Sequence, residues 1–195
     1  MKNYLKIINF LLDNRKESFS INQIAKSLSM NYRTAFEEIK KLETEQTIKI
    51  KKIANSNQCT LNSTLSPKIF EAEHLRTENL LKNKNIKVLS RHLDNLNRMF
   101  FISLIFGSHA KQQINNNSDI DLCIITDDNE FKAQAEQTAR ILPLSIHFFG
   151  FTSKEFMSML ETAKPNVGKE IANSNIILSG IEEFYKLIQC STRNG

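Results

Sequence analysis

The stretch MFFISLIFGSHAKQQINNNSDIDLCIIT, residues 99–126, contains two apolar runs separated by a polar loop. The first run is rich in Phe and Ile and ends at Gly107, which predicts a strand buried on both faces. The second run begins with Asp119-Ile120-Asp121. In an extended chain the two carboxylates project from one face of the strand and Ile120 from the other. Two charges on one face of an apolar strand indicate a site with chemistry rather than packing.

These residue types suit a phosphate-bearing ligand and a metal ion. A glycine lets the backbone approach a triphosphate closely, and the following amides and the Ser108 hydroxyl can donate hydrogen bonds to its anionic oxygens. Magnesium prefers one or two carboxylates together with substrate phosphates, and the pair Asp119 and Asp121 supplies the carboxylates. A Gly-Ser pair and an Asp-x-Asp pair are each common in proteins, so the prediction depends on both occurring together.

Gly107-Ser108, ten further residues and Asp119-Ile120-Asp121 resemble the G-S-x10-D-x-D signature of the polymerase-beta-like nucleotidyltransferases. The likeness is greatest to the minimal nucleotidyltransferases. The resemblance implies a small mixed-sheet nucleotidyltransferase fold over residues 99–195, with Mg²⁺ and a nucleoside triphosphate, ATP as the first choice, as cofactors. Asp119 and Asp121 would hold the metal. The nucleotide-binding residues that it implies are Gly107, Ser108 and Lys111.

Members of this family usually carry a third carboxylate on the strand beside the Asp-x-Asp strand. Residues 144–149 alternate as a strand does, and there the candidate positions hold Ser145 and His147. An imidazole is a poorer magnesium ligand than a carboxylate, although it can act as a general base. Two interpretations stay open. The domain is either a transferase that places a nucleotide on a hydroxyl acceptor, with catalytic residues Asp119, Asp121 and His147, or a non-catalytic nucleotide sensor or interaction module.

Residues 1–65 show a different pattern, with helical spacing up to about residue 46 and then alternation. Ser20 and Gln23 form a capping box at the start of a second helix, and Asn31 can cap a third. Ile48 and Ile50 then alternate with lysines, which predicts a β-hairpin with a turn at residues 55–57. Three helices followed by a basic hairpin predict a small module of their own.

This order resembles a winged helix-turn-helix, whose third helix enters the major groove of duplex DNA while the wing lies along the phosphates. Ser29 and Thr47 stand where that family often has Gly, so the turns are expected to differ. The alternative is a winged module that binds protein. The predicted DNA-binding residues are Arg33, Lys40, Lys49 and Lys51.

Charge is unevenly divided along the chain. Residues 1–66 hold nine Lys and two Arg against one Asp and five Glu, which accounts for the whole net charge of +5. A basic excess confined to one module is expected when that module meets a polyanion such as DNA.

Residues 66–98 are predicted to be a helical connector between the two modules. Ser66-Pro67 suits a helix start, and a stripe of Phe70, His74, Thr77 and Leu81 predicts a helix to about residue 82. A second helix is expected near residues 86–97. The whole chain is therefore predicted to be an α+β protein with a winged helix-turn-helix at residues 1–65, the connector, and the nucleotidyltransferase-like domain.

Composition excludes several classes of protein. No apolar run approaches the roughly 18 residues of a membrane span, and a cytoplasmic location is expected. Cys59, Cys123 and Cys190 are scattered singly, which predicts free thiols rather than disulfides or a zinc site. By resemblance alone, minimal nucleotidyltransferases commonly act with a toxin-like helical partner protein that they modify, so the expected partners are duplex DNA, a nucleoside triphosphate and such a protein.

Overall fold

The computed structural model describes residues 1–53, 56–62, 64–96, 100–111 and 118–193. The chain divides into two compact units, Met1–His74 and Leu75–Gly195. The boundary falls inside one helix, within the predicted connector. Each unit has its own sheet and its own buried side chains.

The N-terminal unit consists of helices and a small antiparallel sheet. Its elements, in order, are α1 (Asn3–Asp13), β1 (Phe19–Ser20), α2 (Ile21–Ser27), α3 (Tyr32–Thr44), β2 (Ile48–Ile53) and β3 (Ser56–Leu61). The strand order is β1-β3-β2, with every pairing antiparallel. The strand β1 is too short to give an alternating pattern, and the sequence alone did not reveal it.

Local sequence signals set the starts of the two helices α2 and α3. Ser20 and Gln23 form the predicted capping box, and the Asn31 side chain accepts from the Arg33 amide. The buried face of α3 is Ala35, Ile39 and Leu42, at the predicted i, i+4 and i+7 spacing. These helix starts are encoded locally because each cap satisfies backbone N–H groups that have no partner within the helix.

The two turns that lack the expected glycine behave differently from each other. Ser29 takes the left-handed conformation, with φ of 49°, so serine adopts here the backbone angle that glycine usually supplies. At the second turn the left-handed residue is Gln46, with φ of 57°, one position before Thr47. Thr47 is instead fully buried, with its hydroxyl 3.1 Å from that of Ser66.

The hairpin of β2 and β3 differs from the prediction in its register. Ser56 and Asn57 belong to β3 and pair with Ile53 and Lys52, whereas the sequence placed them in the turn. Asn55, the first residue of that predicted turn, lies outside the described residues. Ile48 is buried and the lysines that alternate with it are exposed, as a half-buried strand requires.

The connector forms two helices, α4 (Pro67–Leu80) and α5 (Lys84–Asp94). The stripe predicted for α4 is wrong in part, because Phe70 and His74 are exposed. Its buried side includes Glu73, whose carboxylate forms an ion pair with Arg15. The spacing of apolar residues could not reveal this buried side, because it includes a charged residue. A charge is tolerated in a buried position when it is paired.

The C-terminal unit is built on a mixed four-stranded sheet. Its elements are β4 (Ile102–Phe106), α6 (Gly107–Ala110), β5 (Ile120–Ile125), α7 (Asn129–Ile141), β6 (Ile146–Phe151), α8 (Ser153–Glu161), α9 (Val167–Asn173), β7 (Asn175–Ser179) and α10 (Ile181–Arg193). The strand order is β6-β5-β4-β7. The pair β5 and β6 is parallel, and β4 is antiparallel to both its neighbours.

Both faces of this sheet are covered, which explains why β4 is apolar almost throughout. All five residues of β4 are buried. On one face Ile120, Leu122 and Ile124 pack in a cluster with residues of α5 and α7 such as Leu89 and Phe131. On the other face aromatic rings from β6, α8 and α10 form a chain of contacts, among them Phe151, Phe156 and Phe184. Among the described residues, no helix is long and apolar enough to cross a membrane.

Candidate functional site

Gly107, Asp119, Asp121 and His147 meet at one edge of the four-stranded sheet. β4 ends there at Phe106, while β5 and β6 begin there, because β4 runs antiparallel to β5 and β5 runs parallel to β6. Asp121 pairs with Phe106 on one side and with His147 on the other. Strand pairing therefore gathers residues from three separate parts of the sequence.

Gly107 turns the chain from β4 into the short helix α6. Its φ is +64°, a backbone angle that residues with a Cβ atom rarely adopt. A Cβ at this position would also lie 2.1 Å from Oδ2 of Asp121, which is far inside contact distance. The glycine is thus needed both for the turn and for the space that the Asp121 carboxylate occupies.

Asp119 and Asp121 face the same side of the sheet, as the sequence predicted. His147 lies against both, with Nε2 3.4 Å from Oδ2 of Asp119 and Nδ1 3.4 Å from Oδ1 of Asp121. The exposed fractions are 61% for the imidazole, 40% for Asp119 and 24% for Asp121. Contacts between such exposed groups are worth about 0–1 kcal/mol, so a ligand with stronger electrostatic attraction can displace the imidazole.

Ser145 is the second residue that lies beside Asp119 at this edge, directly before β6. Its hydroxyl donates to Oδ1 of Asp119, and its carbonyl accepts a 2.9 Å hydrogen bond from the Ile120 amide. These two bonds fix Asp119 at the point where β5 begins. Ser145 thereby orients one carboxylate without adding a charge of its own.

The donor set at this edge suits a magnesium ion that is shared with a ligand. Two carboxylates on one face supply the oxygen ligands that magnesium prefers, with phosphate oxygens and water completing the coordination. In the described part of the chain, no group of three or more His, Cys, Asp or Glu side chains is arranged to hold a metal ion. The residues present therefore fit an ion that is bound jointly by Asp119, Asp121 and a ligand's phosphates.

Ser108 and Lys111 follow the glycine turn, Ser108 within α6 and Lys111 at the C-terminal end of that helix. Ser108 is half-buried and follows Gly107 directly. The Lys111 ammonium lies 3.3 Å from Oε1 of Glu170 on α9, and both side chains are about half exposed. Glu170 was not expected from the sequence, because it belongs to an element 59 residues further along the chain.

The four residues predicted to bind DNA lie in the N-terminal unit. Lys49 and Lys51 are exposed on one face of β2. Arg33 and Lys40 lie on α3, where they form ion pairs with Glu37 at 3.0 Å and with Glu43 at 2.8 Å. The Arg33 side chain is 87% exposed and that of Lys40 is 44% exposed.

A cavity of about 610 Å³ lies at the other end of the four-stranded sheet. It is lined by residues such as Ile102, Ile125 and Met157, and none of Asp119, Asp121 or His147 borders it. The cavity is therefore separate from the edge that carries the paired carboxylates.

A mixed sheet with a glycine turn and paired carboxylates at one edge is the arrangement expected of a nucleotidyltransferase domain. The chain belongs to the polymerase beta nucleotidyltransferase family, whose model matches residues 84–183, just over half of the chain. The match begins at α5, inside the predicted connector. A search of curated proteins found no match. One similar solved structure is described as the crystal structure of the toxin-antitoxin with AMP-PNP. It is 21% identical, with 56% of this chain and 86% of that chain covered, and a TM-score of 0.35.

Proposed function

We propose that the C-terminal unit binds a magnesium nucleoside triphosphate, ATP as the first choice, and transfers a nucleotide to a hydroxyl group on a partner protein. The observation that carries this proposal is the meeting of the Asp119 and Asp121 carboxylates beside the Gly107 turn. In the reaction the acceptor oxygen forms a bond to the α-phosphorus and the bond to the departing pyrophosphate breaks.

Each residue at the edge has a defined part in this proposal. Gly107 lets the triphosphate approach the backbone, and the Ser108 hydroxyl donates to a phosphate oxygen. Asp119 and Asp121 hold the magnesium ion, which when bound supplies the positive charge that neutralises the departing pyrophosphate. Lys111 exchanges its contact with Glu170 for a phosphate oxygen. These residues position the substrate, which is the main task in phosphoryl-type transfer.

His147 is proposed as the general base for the acceptor hydroxyl. It stands where related enzymes usually have a third carboxylate, and its imidazole lies within 3.4 Å of both carboxylates. The imidazole of His147 would take the hydroxyl proton as the bond to the α-phosphorus forms, while Asp119 and Asp121 would hold the metal ion.

A titration of ATP with and without magnesium tests the metal site. Changing both Asp119 and Asp121 to Asn keeps the shape of the side chains and removes their charge, so magnesium-dependent affinity should be lost. Asp127→Asn is the matched control, because Asp127 follows the other end of β5 and its Oδ1 accepts from the Ser153 amide, a bond that Asn retains. If the ATP affinity does not depend on magnesium, or if the double substitution leaves it unchanged, the proposed site is wrong.

A second candidate is a nucleotide sensor without turnover. The observation that favours it is that Ser145 and His147, and no carboxylate, face the Asp119 and Asp121 pair from the neighbouring strand. Such a domain would bind the triphosphate and change its interactions with a partner. It would release the triphosphate unchanged.

For the N-terminal unit we propose a winged helix-turn-helix that binds duplex DNA. The support is the short α2–α3 turn at Ser29, the antiparallel hairpin, and the exposed ammonium groups of Lys49 and Lys51. Tyr32 and Phe36 stack on the exposed side of α3 with ring centroids 6.3 Å apart, which favours a protein partner as the alternative.

DNA binding is tested with the full chain on duplex DNA at several salt concentrations. Lys49→Ala with Lys51→Ala should weaken binding to all sequences about equally and reduce the salt slope by about 0.9 for each phosphate that the variant no longer neutralises. Arg33→Ala should also relax sequence preference. If the wild-type chain does not bind DNA at low salt, the DNA proposal is wrong. Tyr32→Ala then tests the protein-binding alternative.

A further inference from the structure

His109 connects the two halves of the site. It lies in α6, two residues after Gly107, and only 5% of it is exposed. Its Nε2 atom is 3.3 Å from the backbone carbonyl oxygen of Ser118, the residue before Asp119. A carbonyl oxygen only accepts hydrogen bonds, so the contact requires that Nε2 carries the proton and donates it.

The bond spans the segment that separates the glycine turn from the carboxylates. Ser118 is nine positions after His109 along the chain, and residues 112–117 between them lie outside the described residues. On the β6 side, Asp119 is fixed by the Ser145 hydroxyl and by the bond from the Ile120 amide to Ser145. The His109 bond fixes the same point of the chain from the α6 side. The start of β5 is therefore tied to the Gly107 turn as well as to its neighbouring strand.

Packing alone does not explain why a histidine occupies position 109, as its other ring nitrogen indicates. Nδ1 is buried and has no hydrogen-bond partner among the described residues. A buried polar atom without a partner lowers stability, so an apolar side chain of similar size would fit the same space at less cost. The imidazole is explained by the bond that its Nε2 makes to Ser118.

We propose that His109 is a positioning residue, which holds the Asp119 backbone at the distance from the Gly107 turn that a metal ion shared with bound phosphates requires. Its effect on nucleotide binding rests on the proposed function, whereas its effect on the Ser118 backbone does not. Outer partners of metal ligands act in this way by fixing the geometry of the ligands themselves.

Two substitutions that each introduce a side-chain amide test the hydrogen bond to Ser118 separately from the volume that the imidazole ring fills. In His109→Gln the side-chain nitrogen reaches about as far as Nε2 and can still donate to Ser118. In His109→Asn the nitrogen reaches only about as far as Nδ1 and cannot. Both variants place one amide in the same buried space, so their melting temperatures serve as the control for folding.

The first measurement is amide hydrogen exchange of the full chain over residues 118–122. We expect faster exchange in His109→Asn and nearly wild-type exchange in His109→Gln. The second measurement is the magnesium concentration that half-saturates ATP binding. We expect it to rise about 10- to 100-fold in His109→Asn, the usual scale for losing an outer partner of a metal ligand, and to recover in His109→Gln. ATP affinity without magnesium should be the same in all three proteins.

A spectroscopic measurement on the wild-type protein tests the same bond without any substitution at His109. Long-range ¹H–¹⁵N correlation spectra should show His109 with its proton on Nε2, after the other three histidines are assigned through His74, His92 and His147 variants. A proton on Nδ1 would overturn the proposal. Equal behaviour of the Asn and Gln variants in hydrogen exchange would overturn it as well.

These results separate the role of His109 from the proposed function. If wild-type protein shows no magnesium-dependent ATP binding, the proposed function fails while the exchange and tautomer measurements still decide the role of His109. If magnesium-dependent binding is present but both variants retain it fully, the proposed function stands and the positioning role is wrong.

Discussion

Gly107→Ala tests directly whether the glycine turn and the Asp121 carboxylate share one space. Alanine at φ of +64° costs about 1–2 kcal/mol in backbone energy. Its Cβ would also lie 2.1 Å from Oδ2 of Asp121, and turning that side chain away from its rotamer adds about 0.5–1.5 kcal/mol. The substitution should therefore lower the free energy of unfolding by about 2–3 kcal/mol, with the carboxylate displaced from its place beside Asp119.

A double-mutant cycle separates the two contributions. In an Asp121→Ala background the clash is absent, so Gly107→Ala should cost only the backbone part, about 1 kcal/mol less than in the wild type. In an Asp121→Asn background the side chain keeps its shape, and the full cost should remain. The assay is urea unfolding followed by circular dichroism, since the chain has no Trp. Costs that agree within about 0.5 kcal/mol in the wild-type and Asp121→Ala backgrounds would refute the shared-space explanation.

Gly180→Ala is the matched control for loss of function. Gly180 also has a positive φ, of +79°, and a Cβ there would lie 2.5 Å from the Phe101 carbonyl oxygen, at the opposite end of β4. Both glycine variants should be destabilised, but only Gly107→Ala should lose magnesium-dependent ATP binding. Equal loss of binding in both variants would mean that general destabilisation, rather than the turn, controls the site.

Two further predictions concern His147 and the cysteines. If His147 is the base, His147→Ala should reduce transfer of label from triphosphate to an acceptor by about a hundredfold or more, with triphosphate affinity kept. Transfer that is unchanged in His147→Ala would exclude His147 as the base. If the wild type transfers nothing but the His147→Asp variant is active, the lack of a carboxylate on this strand explains the lost activity. Burial raises the pKa of the Cys59 thiol to about 11 and raises that of Cys123 further, so at pH 8 iodoacetamide should modify the exposed Cys190 alone. Mass spectrometry should show one adduct in the native protein and none in Cys190→Ser, and a second native adduct would contradict the described burial.

The Gly107 turn and the carboxylate pair could be predicted from the sequence because their signals are local. An apolar run that stops at glycine, and two Asp residues at strand spacing, have the same meaning wherever they occur. The same holds for the caps of α2 and α3. The turn of the hairpin was predicted wrongly in part, because Ser56 and Asn57 belong to a strand.

Only the tertiary structure decided what surrounds those local signals. The parallel pairing of β5 with β6 places His147 against both carboxylates, and the packing of β4 against β5 fills the Cβ position of Gly107 with Asp121. The contacts of His109 with Ser118 and of Lys111 with Glu170 likewise join residues that are distant along the chain. Residue spacing encodes direction along one strand or helix, but distances between elements depend on how the chain packs. The sequence therefore indicated which residue types lie at the edge, and packing set the distances between them.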